Sequence, residues 1–190
     1  TVSVSRQTYS LPSPFFVLAT ENPLEMEGTY PLPEAQLDRF HSKLLVRFPS
    51  SEEIETILDR TTESTSPRAE PVLDGVRILD MQKLARRIPI ADEVRRWGIA
   101  VVLATHPENE QAASMTRSFV RYGSSPRGAQ AMILAAKIRA IMDHRYHVAR
   151  DDLRAVAPSV LRHRLILNFE GQAEGVQSDA VVENVLESSV

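Results

Sequence analysis

Residues Phe15–Phe40, FFVLATENPLEMEGTYPLPEAQLDRF, decide how the chain is read. Phe15, Phe16, Val17, Leu18 and Ala19 make a continuous apolar run. Such a run suits a strand buried on both faces of a parallel sheet. It ends in Thr20-Glu21-Asn22-Pro23. In open α/β sheets the ligand crevice lies outside the carboxyl ends of the strands, so Asn22 stands where an amide could orient a water or a phosphate oxygen. Asn-Pro is also a turn signal, which is the alternative role for Asn22. A Pro-containing loop follows, and Pro33-Glu34-Ala35-Gln36-Leu37-Asp38-Arg39-Phe40 predicts a short helix with Pro33 at its start and Arg39 near its end.

Around this stretch the chain divides by composition. Thr1–Leu11 alternates apolar and polar residues and predicts a hairpin turning at Ser5-Arg6-Gln7. Lys43–Phe48 predicts a second strand, stopped by Pro49. Ser50 or Ser51 caps the next helix, whose first turn carries Glu52 and Glu53. Thr61–Pro71 turns to Thr, Ser, Pro and charge, a plausible boundary. Beyond it helical spacing dominates: Ile78, Met81, Leu84 and Ile88; then Val94, Trp97 and Val101; then Met132, Ile133, Ala136, Ile138 and Ile141. Val148–Leu165 predicts a fourth helix, kinked or split at Pro158, and Ser178–Leu186 a short last one. The expected organisation is an α/β portion over residues 1–66 and an all-helical portion over 67–190.

Arg127 carries a local argument of its own. Gly123-Ser124-Ser125-Pro126 opens a helix, with Ser125 as cap and Pro126 as first residue. Arg127 then sits in the first turn, where the helix dipole disfavours a cation. An anion bound at the same end would explain it. The alternative is a solvated Arg.

Three separated stretches, the Phe15–Phe40 run, FVRYGSSPR (Phe119–Arg127) and LRHRLILNFE (Leu161–Glu170), together resemble the MoxR family of AAA+ ATPases. The resemblance implies the C-terminal half of an AAA+ P-loop NTPase core followed by an α-helical lid. It places Asn22 as sensor 1, Arg39 as the arginine finger and Arg127 as the sensor-2 arginine. Arg39 has an alternative as a structural partner of Asp38 or Glu34. The resemblance further implies ATP and Mg²⁺ as cofactors, a ring-shaped homo-oligomer of hexameric type, and chaperone-like remodelling of client proteins. Metal-cofactor insertion and partners with von Willebrand factor A domains belong to the same implication. Whether Arg127 serves its own subunit's nucleotide or a neighbour's stays open.

No GxxxxGK[ST] phosphate loop occurs in these 190 residues, and no apolar strand ending in paired acids precedes Asn22. The chain starts at Thr1 without Met. It reads as the C-terminal part of a longer ATPase, with the phosphate loop and the Mg²⁺ ligands upstream, and is expected to be inactive by itself. A non-catalytic interaction module is the rival, and a DNA motor of the same clade a weaker one. The net charge of −3 and the single basic residue before Leu11, Arg6, argue against tight phosphate contact with nucleic acid. The absence of cysteine excludes disulfide and thiolate chemistry. No apolar stretch reaches membrane-spanning length, and the expected location is cytoplasmic. His144 and His147 have helix-compatible ligand spacing near Asp143, but no metal site is read there. Arg117 and Arg121 flank Phe119 and read as a solvated face, with phosphate or a neighbouring subunit as the alternative.

Overall fold

The computed structural model describes residues 1–21, 32–62 and 69–189. These form two compact units, Thr1–Val17 with Leu44–Met81, and Leu18–Lys43 with Gln82–Val190. The expected division between residues 66 and 67 lies outside the described residues.

In the first unit, β1 (Val2–Val4) pairs antiparallel with β2 (Gln7–Tyr9) in the register Val2–Tyr9, Ser3–Thr8 and Val4–Gln7. Ser5 and Arg6 make the turn, both at positive φ (49° and 69°). Two positive φ values match the right-handed twist of a hairpin, and two side-chain-bearing residues adopt them at a cost of roughly 1–2 kcal/mol each. Ser3 and Thr8 hydroxyls meet across the ladder at 3.0 Å. Ser50 caps the helix Ser51–Thr62 through a reciprocal box. The Glu53 amide donates to Ser50 Oγ at 3.3 Å, and the Ser50 amide donates to Glu53 Oε2 at 2.7 Å.

The two apolar stretches expected as strands do not form strands. Phe16 is 77% exposed, Leu18 84% and Val46 95%. A buried strand needs a hydrogen-bonded neighbour for its amides and carbonyls. Among the described residues the paired strands are only those of two small two-stranded sheets, and neither includes these stretches.

The second unit is helical. We name its elements, together with the helices already met, in chain order: α1 (Glu34–Leu37), α2 (Ser51–Thr62), α3 (Gly75–Arg87), α4 (Asp92–Leu103), α5 (Ser114–Phe119), α6 (Pro126–Met142), α7 (Arg150–Leu161), α8 (Phe169–Ala173) and α9 (Ser178–Ser188). β3 (Val120–Tyr122) and β4 (Ile166–Leu167) pair antiparallel. The core lies where α6 packs on α4 and α7, and α9 packs on α5 and α7. Trp97, Val101, Met132, Ala136, Leu153, Val160, Leu161, Val181 and Val185 are buried together. Burying each large aliphatic side chain contributes about 1.5–3 kcal/mol.

The buried face of α6 is built from Gly128, Ala131, Met132, Ala136 and Ala140, while Ile138 is exposed. Small residues there let α6 approach its neighbours closely. α7 runs through Pro158 as one helix, neither split nor ended by it. Pro158 still accepts from the Arg162 amide at 3.1 Å. The α7 N-terminus is held by Asp152, which is 1% exposed. Asp152 accepts from the Ala149 amide at 2.8 Å and from both Nη atoms of Arg145 at 2.5 and 2.8 Å. Arg145 first, against the opposing effect of burial, holds the Asp152 carboxyl below its usual range.

The turn between β3 and α6 rests against the end of α4. A Cβ added at Gly123 would lie 2.5 Å from the Thr105 carbonyl oxygen, closer than real Cβ atoms approach. Ser124 donates its amide to Thr105 Oγ1 at 3.0 Å, which fixes the same turn. Gly123→Ala is therefore expected to destabilise the helical unit by about 1–3 kcal/mol, the usual cost of overpacking. Urea denaturation of the purified chain followed by far-UV circular dichroism checks this; an unchanged midpoint would show that the turn relaxes freely.

Candidate functional site

The C-terminus of α1 and the N-terminus of α6 meet at one carboxylate. Asp38, the C-cap of α1, accepts from Ser125 Oγ at 2.9 Å through each oxygen, from Arg127 Nη1 at 3.1 Å and from Arg164 Nε at 3.2 Å. Its side chain is 18% exposed. Burial pushes this carboxyl up, but the Ser125 hydroxyl, Arg127 and the Arg164 charge outweigh it and hold Asp38 below the ordinary carboxylate range.

Ser125 is the N-cap of α6 and accepts from the Arg127 amide at 3.2 Å. Arg127 thus stands in the first turn, as its local sequence predicts. The anion beside it in this structure comes from the chain itself: the Asp38 carboxylate offsets the dipole penalty. The Arg127 side chain remains 54% exposed. Arg39, one residue after Asp38, is exposed. Among the described residues its guanidinium has no hydrogen-bond or ion-pair partner. The alternative pairing of Arg39 with Asp38 or Glu34 is absent: Asp38 faces Ser125, Arg127 and Arg164 instead. Asn22 lies outside the described residues.

Arg164 is the residue that sequence reasoning missed. It is 6% exposed and lies between β4 and the end of α7. Its Nη2 donates to the carbonyls of Asp38 (3.0 Å) and Phe40, and its Nη1 to the carbonyls of His41 (3.2 Å) and Val160. Burial lowers its pKa, and the Asp38 charge opposes that. The signal was an Arg-His-Arg triplet inside an apolar run, Val160-Leu161-Arg162-His163-Arg164-Leu165, which demands internal partners for whichever arginine the core encloses. Arg162 holds the same segment, donating to Asp179 at 2.8 Å and to the Lys43 carbonyl at 3.0 Å. A cleft of about 430 Å³ opens beside this network, lined by Glu34, Leu37, Asp38, Ser125, Arg164 and Gln172 among others.

Arg117 donates to the carbonyls of Glu110 (2.6 Å) and Ala112 (3.2 Å), stapling the loop before α5. Arg121 covers the Tyr122 ring at 5.0 Å. His144, at φ 56°, follows the end of α6. Among the described residues no group of three or more His, Cys, Asp or Glu side chains could hold a metal.

Residues 1–42 match the profile of the ATPase family associated with various cellular activities (AAA), and residues 112–185 match the AAA lid domain. The chain is 37% identical over 187 residues to Chaperone MoxR1 of Mycobacterium tuberculosis, covering 98% of this chain and 49% of that one. It is 37% identical over 188 residues to the uncharacterized protein YeaC of Bacillus subtilis, with 97% and 55% covered. A crystal structure of a candidate ATPase from Cytophaga hutchinsonii superposes over 100% of this chain and 57% of its own, with a TM-score of 0.89 at 33% identity. The fold class is therefore an AAA+ core portion followed by an α-helical lid. Within that class the chain belongs to the MoxR family. It spans about half the length of the curated relatives it matches.

Two histidines pack near Arg164. His163 Nε2 lies 2.9 Å from Arg164 Nη1 and 3.2 Å from the Phe40 carbonyl, and its Nδ1 is buried without a partner among the described residues. Burial first, then the Arg164 charge, push both His41 and His163 below the ordinary histidine value. The folded state therefore binds fewer protons than the unfolded chain just below the unfolded pKa of about 6.5. Stability from these neutral imidazoles is fully present above that pH and is lost as pH falls through their folded pKa values. The expected decline is at most about 1.4 kcal/mol per pH unit for each histidine. Urea midpoints between pH 7.5 and 5.5 measure it. His163→Gln should flatten the decline, and an unaltered slope would remove His163 as its source.

Proposed function

We propose that this chain is the part of a MoxR-like AAA+ ATPase that couples nucleotide state between subunits of a ring, in service of chaperone-like remodelling of a client protein. The observation that carries this reading is the Asp38 carboxylate: it binds Arg127 and immediately precedes Arg39, whose guanidinium has no partner among the described residues. Arg127 is tied to Asp38 through its side chain and Arg39 follows Asp38 in the chain, so one acid stands beside two guanidiniums on one unit, which suits joint stabilisation of a single phosphate group. We read that phosphate as the neighbouring subunit's, so both arginines act across the interface.

The residues present fit a nucleotide phosphate. Arg39 is exposed and without a side-chain partner among the described residues, Arg127 is half-exposed at a helix N-terminus, and both offer planar, permanently charged donors. ATP with Mg²⁺ supplies the transferable phosphoryl group and neutralises part of its charge. The Mg²⁺ ligands and the phosphate-loop lysine belong, in this reading, to sequence upstream of Thr1. Arg39 places positive charge where negative charge grows on the phosphoryl oxygens. Arg127 trades Asp38 for phosphate and so reports nucleotide state to α6 and the lid. Asn22 orients the attacking water. A hexameric ring, a cytoplasmic setting and a partner with a von Willebrand factor A domain complete the proposal, with metal-cofactor insertion as one form the remodelling could take.

In the full-length protein, Arg39→Ala is expected to lower kcat by about 10³ or more with little change in nucleotide affinity. Mixing it with subunits defective in the phosphate loop should restore part of the turnover, because mixed rings contain some complete sites. No recovery in confirmed mixed rings would make Arg39 structural. The chain of residues 1–190 alone is expected to release no phosphate from ATP, and sustained release by the purified chain would overturn the division of labour proposed here.

Arg127→Ala is expected to change the apo melting midpoint by no more than the equivalent of about 1 kcal/mol, because its pair with Asp38 is half in solvent. The stabilisation of full-length protein by a non-hydrolysable ATP analogue should shrink. Melts across protein concentration check both, and an intact nucleotide shift under ring-forming conditions would remove Arg127 from the nucleotide site.

A further inference from the structure

The stretch after α1 has almost no secondary structure of its own, yet Arg39 must be aimed accurately if it is to meet a phosphate. Asp38, Arg39 and Phe40 close the helix through amide bonds to Glu34, Gln36 and Leu37. After Phe40 the backbone bond that holds the segment is Lys43 N to Ser159 O, at 2.8 Å. A four-residue helix does not hold its own direction: isolated helices this short are unstable in water. Something outside α1 must fix it.

We propose that Arg164 is the positioning residue for Arg39. Its guanidinium reaches both sides of Arg39 in the chain. It takes the carboxylate and the carbonyl of Asp38 on one side and the carbonyls of Phe40 and His41 on the other. The peptide units flanking Arg39 are thus bolted to one planar group, while the Arg39 side chain stays outside and exposed. The bolt is itself rigid: the Arg164 side chain is 2% exposed, and it is anchored to α7 through the Val160 carbonyl. Arginine suits this task and lysine does not. Five donors in a fixed fork can serve acceptors on either side of a turn, whereas an ammonium is a single flexible point. Arg162 extends the arrangement to Lys43. The same carboxylate also carries Arg127, so the position of the finger and the state of the α6 N-terminus are set by one network.

This inference rests on the reading of Arg39 as a finger, and the experiment separates the two. In the full-length protein, kcat, KM and segment-resolved hydrogen exchange are measured for Arg164→Lys, Arg39→Ala and the double variant. Misplacing a reacting group by about 1 Å costs on the order of 10²-fold. Arg164→Lys is therefore expected to lower kcat by ~10–100-fold with KM nearly unchanged. Exchange should accelerate at amides 38–43 while α6 and α7 stay protected. In the Arg39→Ala background the same substitution should change kcat by less than ~3-fold, because a positioning residue has nothing left to position. If the two losses multiply, or if exchange rises across α6 and α7 instead, Arg164 is only a stability element and this proposal fails while the finger reading stands. If Arg39→Ala leaves kcat unchanged, both fail together. Should Arg164→Lys not fold, Asp38→Asn in an Arg127→Ala background removes the carboxylate contact of Arg164 without involving Arg127, and the same non-additivity with Arg39→Ala is required.

Discussion

A buried guanidinium organises this end of the molecule. Removing a charge of this kind from water costs several kcal/mol, and that cost is recovered only where good geometry satisfies its donors. Arg164 finds its acceptors in one carboxylate and four carbonyls, three of them on the stretch after α1. The consequence runs in both directions. The arginine can be buried only while residues 38–41 lie against the end of α7, and those residues have a defined course only while the arginine is buried. Much of the site inherits its geometry from this mutual requirement.

Asp38 then links two events that are far apart in sequence. One carboxylate has four lone-pair directions, and here Ser125, Arg127 and Arg164 use them. Arg164 is buried and Ser125 half-buried, and both hold Asp38 in place. Arg127 is the half-exposed member, the one whose pairing solvent weakens most. A network with two fixed members and one loose one can release the loose one without coming apart. That is the physical basis for reading Arg127 as the mobile contact and Asp38 as its resting partner.

The same site contains two histidines whose pKa values are lowered by burial and by the arginine beside them. A second positive charge next to Arg164 would compete for the same acceptors. A protonated His163 would place its charge 2.9 Å from Arg164 Nη1. Protonation of the imidazole therefore opposes the Arg164 clamp.

Some of this was legible in the residues alone. The helix-opening signature Ser125-Pro126-Arg127 determined the start of α6 to the residue, because capping chemistry is local. The Trp97-Val101 and Met132-Ala136 spacings marked buried faces, because helix periodicity is local too. Periodicity could not decide which apolar stretches find a partner. Phe15–Ala19 and Leu44–Val46 have strand composition, but a strand exists only where another backbone meets its amides, and that is a tertiary fact. Nor could it decide the fate of the charges. Asp38 beside Arg39 reads as a neighbouring pair. In the fold Asp38 turns to Arg127 and Arg164, separated from it by 89 and 126 positions. Where helices start and which of their faces are apolar could be read from the residues alone, since both depend on near neighbours along the chain, and the order of three separated motifs was enough to point to the family. It took the fold to show that Arg39 has no side-chain partner among the described residues, that Arg127 already has an anion and that Arg164 holds Asp38 and the carbonyls around Arg39, since an ion pair depends on distance in space.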